Sequence, residues 1–140
     1  MKKLLPILFI SLAALWACDE VDIAVNDNIR DFIEQKYEGA KILHAEKEFN
    51  GEVDVEIIHN NTHKEVKFNR KDEWINTTWN VPLNMLPDVV RESVYSRYPE
   101  YRLDDADYFE TPASNYYKIE IEKGEWERTV FVTPDGVILN

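Results

Sequence analysis

The sequence predicts an α+β fold built from two tandem units, each a helix followed by about four antiparallel strands. Three observations carry this reading. Residues 25–39 and 86–98 each place apolar side chains on one helical face. Short stretches of alternating apolar and polar residues, separated by turn residues, follow each of them. The second series also echoes the first: Ile29, Ile33, Tyr37 and Ile42 recur as Val90, Val94, Tyr98 and Leu103, all at an offset of 61.

The 140-residue chain opens with an export segment. Lys2 and Lys3 give a positive start, and Leu4 to Leu15 is apolar apart from Pro6 and Ser11. That length suits a signal peptide and is too short for a stable membrane span. The segment ends in "LWAC", with small Ala17 before Cys18, the only cysteine. One cysteine cannot close an internal disulfide. "LWAC" resembles a bacterial lipobox, which implies cleavage before Cys18 and acylation of its thiol. Leu15 and Ala17 fit that pattern, while Trp16 is bulky for its place. The alternative is an ordinary signal peptide cut after Ala17. "CDEVD" resembles the acidic export tags of lipoproteins in Bacteroidetes-type bacteria, which would favour the cell surface.

The expected division is a signal peptide at 1–17, an acidic tether at 18–24, a first unit at 25–80 and a second at 81–140. Acyl chains on Cys18, rather than a transmembrane helix, would hold the protein at the periplasmic face of a membrane or at the cell surface. Without residues 1–17 the net charge of −11 becomes −13, because only Lys2 and Lys3 are charged there. Such a chain repels nucleic acid and anionic lipid and suits a cationic or aromatic-rich partner.

The first helix follows the tether. Asn26 or Asp27 can cap it, Ile29, Phe32, Ile33 and Tyr37 form its apolar face, and Gly39 stops it. Strands are expected at 40–49, 53–58, 64–68 and 73–79. Asn50-Gly51 gives the first hairpin turn, "HNNTH" the second and "NRKD" the third. "NVPLNMLP" is the joint between units. The second helix presents Val90, Val94 and Tyr98 and ends at Pro99. Strands follow at 101–110, 116–122 and 125–133, with "VILN" last.

The helix ends and the joint resemble the PepSY-like periplasmic proteins of Bacteroidetes, which are related in fold to beta-lactamase inhibitor protein. The family's helix pattern is met by Leu86, Pro87, Val90, Val94, Tyr98, Pro99 and Leu103 in the second unit, although Glu100 and Tyr101 replace Gly-Ala. The first unit keeps Tyr37, Gly39, Ala40 and Ile42 and lacks both prolines. The family's late turn is matched by "PDGVIL", while "KDEW" keeps Asp72 and Trp74 without the glycine. The resemblance covers residues 25–140. It implies helices packed on one face of an antiparallel sheet, an extracytoplasmic setting, and binding or inhibition of another protein. It carries no catalytic residues.

Candidate chemistry is sparse. Asp104, Asp105, Asp107 and Glu110 lack the glycine bend and spacing of a calcium loop, so a solvated strand is the expectation. His59 and His63 flank a turn and could approach each other, but no third ligand completes a zinc site. None of Ser93, Ser96 and Ser114 lies in a nucleophile elbow. No enzyme, cofactor or metal is therefore expected. Tyr116, Lys118, Trp126 and Arg128 are the candidate partner-binding residues, provided that they lie together on the outward face. The reading is a non-catalytic, lipid-anchored module that docks an envelope or secreted protein through its sheet. The alternative is a lipoprotein that binds calcium or a small ligand.

Overall fold

The computed structural model describes residues 24–139. The expected signal peptide, Cys18 and all but the last residue of the tether lie outside the described residues. In chain order the elements are α1 (Asp27–Lys36), β1 (Lys41–Lys47), β2 (Val53–His59), β3 (Thr62–Phe68) and β4 (Trp74–Asn80). A 3-10 turn at Leu83–Met85 leads to α2 (Asp88–Arg97), β5 (Arg102–Glu110), β6 (Asn115–Lys123), β7 (Trp126–Val132) and β8 (Ile138–Leu139). The eight strands form one sheet in sequence order, and every neighbouring pair is antiparallel. The fold is α+β. Among the described residues no helix is long and apolar enough to cross a membrane.

Local chemistry explains the ends of these elements. Asn26 caps α1, its Oδ1 accepting the Ile29 N–H at 3.0 Å. Tyr37 leaves helical geometry while its N–H still donates to the Ile33 carbonyl, and Gly39 follows at φ +79°. At the end of α2, Tyr98 does the same with the Val94 carbonyl, and Pro99 bars another turn. The "HNNTH" link is tighter than its sequence suggests. β2 runs to His59, β3 starts at Thr62, and only Asn60 and Asn61 turn. Both have positive φ, which short Asn side chains tolerate, and paired positive φ matches the twist of a two-residue hairpin.

Pairing fixes the faces. Val55 pairs with Val66, Val66 with Thr77, and Thr77 with Glu110. Farther on, Ala106 pairs with Ile119 and Ile119 with Val130. Directly opposed residues share a face, and so do alternate residues along β5 from Ala106 to Glu110. All of these therefore lie on one face, and both helices cover it. Ile29, Ile33 and Tyr37 pack there with Val55, Ile57, Val66 and Phe68. Val90 and Val94 pack with Ala106, Ile119, Ile121, Val130 and Val132. β4 and β5 join these two cores into one sheet through four residue pairs, from Thr77–Glu110 to Asn80–Asp107. Among the described residues the opposite face carries no helix.

Candidate functional site

The structure separates the four residues expected to form one patch. Tyr116 and Lys118 face the helix-free side. Trp126 and Arg128 alternate with Val130 and face the helix side. Arg128 pairs with Ile121, and its guanidinium lies 5.3 Å from the Tyr98 ring centre. Trp126 is 75% exposed, beside the Gly124-Glu125 turn. The expectation of a single outward patch is therefore corrected. Alternation had placed the members of each strand, but the pairing of β6 with β7 sets the two pairs on opposite faces.

Tyr116 instead has neighbours that the sequence reading did not single out. Its ring stacks on Phe109 at 5.1 Å and meets the edge of Phe131 at 5.8 Å. Phe131 pairs with Leu139, and each is 40% exposed. Antiparallel pairing produces this cluster, because Phe109 opposes Tyr116 across the loop at 111–114. Lys118 flanks it and pairs with Glu120 at 3.2 Å. Asp105 and Asp107 lie beyond, both held by the Asn80 side-chain amide, at 2.8 and 3.4 Å. Burial, and then the neighbouring Asp105, hold the Asp107 carboxyl above the usual range. The surface is an aromatic centre with an acidic border and one lysine. That arrangement suits a partner with an apolar centre and basic edges.

The stretch "DDADYFE" is strand, as expected. Asp105 and Asp107 share the helix-free face, whereas Glu110 points to the helix side. There Glu110 accepts the Tyr37 hydroxyl at 2.5 Å and pairs with Lys36 at 3.8 Å. Burial and then this hydrogen bond push the Tyr37 phenol well above its ordinary range. His59 and His63 also point to opposite faces. His59 packs 5.5 Å from the Tyr37 ring, and His63 pairs with Glu56 at 3.6 Å. The two do not come together as a metal pair, which corrects the expectation that they could approach each other.

Two further features lie apart from the aromatic cluster. On the helix side, Trp79, Tyr108 and Tyr117 run ring to ring at 4.8 and 4.7 Å. With Thr62, Val81, Pro82 and Met85 they line a groove of about 420 Å³. Lys64 lies 3.8 Å over Trp79, and burial lowers its pKa. At the far end of the helix-free face, Glu46, Glu48 and Asp54 bring one carboxylate oxygen each to within 4.8 Å of one another. Asp54 is 8% exposed. Lys67 holds its Oδ2 at 3.3 Å, and its buried Oδ1 has no hydrogen-bond partner among the described residues.

The chain thus combines an open antiparallel sheet, two helices on one face and an aromatic cluster on the other. The chain belongs to the PepSY-like family, whose profile, described as "Putative beta-lactamase-inhibitor-like, PepSY-like", matches residues 51–140. Among solved structures it is similar to a BLIP-like protein from Bacteroides fragilis, at 22% identity and a TM-score of 0.74, over 87% of this chain and 88% of that one. It is also similar to a DUF2874 family protein from Bacteroides ovatus, at 20% identity and a TM-score of 0.70, over 84% and 86% of the two chains. A third similar structure, from Bacteroides eggerthii, is described as one of the "putative periplasmic proteins", with 15% identity, a TM-score of 0.66, and coverage of 84% and 88%. No curated protein matches the sequence.

Proposed function

We propose that the protein is a non-catalytic, extracytoplasmic binding or inhibitory module that docks an envelope or secreted protein on its helix-free sheet face. The observation that carries this is the Phe109–Tyr116–Phe131 cluster, aromatic and uncovered on a face with an acidic border. Rigid aromatic anchors at the centre of a surface, with charge at its edge, concentrate binding energy and select the partner. Export is supported by the signal-like residues 1–17 and by the periplasmic description of a similar structure. Lipid attachment at Cys18 is part of the same reading.

The two halves are, in this reading, copies of one ancestral unit. Both helices have ten residues, and the β-bulges fall between Ile42 and His44 and between Leu103 and Asp105, again 61 apart. Beyond the first hairpin, pairing puts Ile57 and Ile121, Lys64 and Arg128, and Trp74 and Ile138 in matching places, a constant offset of 64. A first hairpin three residues longer in the second half accounts for the change of offset from 61 to 64.

The test is retention of a partner by tagged protein prepared from native-cell membranes, with Cys18→Ser moving the bait to the soluble fraction. Tyr116→Ala and Phe131→Ala should each weaken retention of the same partner by about tenfold or more, the usual cost of losing an interface anchor. Trp126→Ala, on the other face, should leave it unchanged. Equal loss from all three, or none from Tyr116→Ala and Phe131→Ala, would exclude this face.

A further inference from the structure

We propose that Glu46, Glu48 and Asp54 form a binding site for a calcium-sized divalent cation, separate from the aromatic docking surface. β1 and β2 build it. Glu46 opposes Asp54 directly in the pairing, so their side chains share the helix-free face. Glu48 stands just past β1, where the Glu48–Glu52 turn brings the chain back, its Gly51 N–H donating to the Glu48 carbonyl at 2.8 Å. The turn thus returns Glu48 to the start of β2, close to Asp54.

The acids alone would be unremarkable in so acidic a chain. What distinguishes them is Asp54. Its side chain is nine-tenths buried, one of its oxygens lies within 4.8 Å of a carboxylate oxygen from each of Glu46 and Glu48, and its Oδ1 has no hydrogen-bond partner among the described residues. A buried carboxylate oxygen without a donor is costly, and two carboxylates facing it raise that cost. Lys67 does not answer the need, because it holds the other oxygen. A cation among the three carboxylates would satisfy all of them at once.

The donor set selects the ion. It is all oxygen, which suits a hard cation and disfavours metals that prefer nitrogen or sulfur. The three oxygens lie within 4.8 Å of one another. Calcium accepts an irregular oxygen shell, whereas magnesium demands a near-ideal octahedron and gives up its water reluctantly. Glu46 and Glu48 can each offer a second oxygen, and water completes the shell. So few protein ligands imply affinity at the weak end, about 0.1–1 mM, the range of extracellular calcium modules.

The experiment is thermal unfolding of the full mature chain after chelator treatment, at neutral pH, with calcium chloride, magnesium chloride or sodium chloride at matched ionic strength. Calcium at 10 mM should raise Tm by about 3 °C or more, and magnesium by clearly less. The gain should disappear in Asp54→Asn and in Glu48→Gln, and persist in Glu34→Gln, on the exposed side of α1. Glu48 is exposed, so its variant keeps the test sound should Asp54→Asn fail to fold. No gain with calcium, an equal gain with magnesium or sodium, or a gain unchanged in Glu48→Gln would each overturn the site. None of these outcomes depends on whether the aromatic face docks a partner.

Discussion

Tyr37 shows how a single residue serves both halves of the molecule. It ends α1, packs in the first core, and donates its hydroxyl to Glu110, the last residue of β5. Lys36 and Lys64 add positive charge around it, Lys64 lying 5.0 Å from its ring centre. Removing the hydroxyl takes from the half-buried Glu110 carboxylate the hydrogen bond that Tyr37 donates to it. Tyr37→Phe should therefore cost about 1.5–3 kcal/mol, the usual value of a hydrogen bond to a charged group. In a double-mutant cycle with Glu110→Gln, urea unfolding should give a coupling of at least about 1 kcal/mol. Additive losses would mean that the bond contributes nothing of its own. At the end of α2, Arg128 places a cation 5.3 Å from the ring centre of Tyr98.

At the scale of elements, the turns decide where strain collects. The 69–73 and 133–137 turns close with the same bonds: Asp72 N–H to the Asn69 carbonyl, and Gly136 N–H to the Thr133 carbonyl. Asp72 holds the left-handed position at φ +62°, and Gly136 holds it at φ +88°. A Cβ on Gly136 would also come within 2.8 Å of Val89 Cγ2 and 3.0 Å of the Val89 carbonyl oxygen on α2. Gly136→Ala should cost about 1–3 kcal/mol, while Asp72→Gly should be neutral or should stabilise by up to about 1 kcal/mol. Equilibrium denaturation of the two variants checks both signs. These elements were legible in the sequence because each is specified locally. Asn26, Gly39, Pro99, Gly51 and the alternation along β2 and β6 act within a few residues of themselves. The candidate surfaces were less legible, because they depend on register. Tyr116 was singled out by its position on β6, but Phe109 and Phe131 join it only through pairing with two other strands. Glu46, Glu48 and Asp54 were invisible for the same reason, in a chain with 27 acidic residues.

For the whole molecule, acid on the helix-free face sets the response to pH. Burial raises the carboxyls of Glu65 and Asp107 above their ordinary values, with further acids adding to the effect. The folded chain then binds more protons than the unfolded chain between the ordinary and the raised pKa, so stability falls as pH rises through that window. Tm should accordingly rise as pH is lowered from 7 towards 5. Falling net repulsion in a chain of charge −11 adds to the same trend. Asp107→Asn isolates the local part, and its Tm should change less over that interval than the parent's. An identical pH profile in this variant would show that only the global charge matters.

The strand order has a consequence for how the chain reaches this state. Every strand pairs with the one before it in sequence, from β1 to β8, and only the β4–β5 pair is joined across a helix rather than a turn or short loop. Contacts of short sequence separation lower the entropy of loop closure and speed folding. A chain that emerges N-terminus first can thus lay down its sheet one strand at a time. Each new strand covers the edge that the previous one left open, and this shortens the interval in which a bare edge is available to a neighbouring chain. β8 closes the series with two paired residues, the last backbone edge to be protected as the chain arrives.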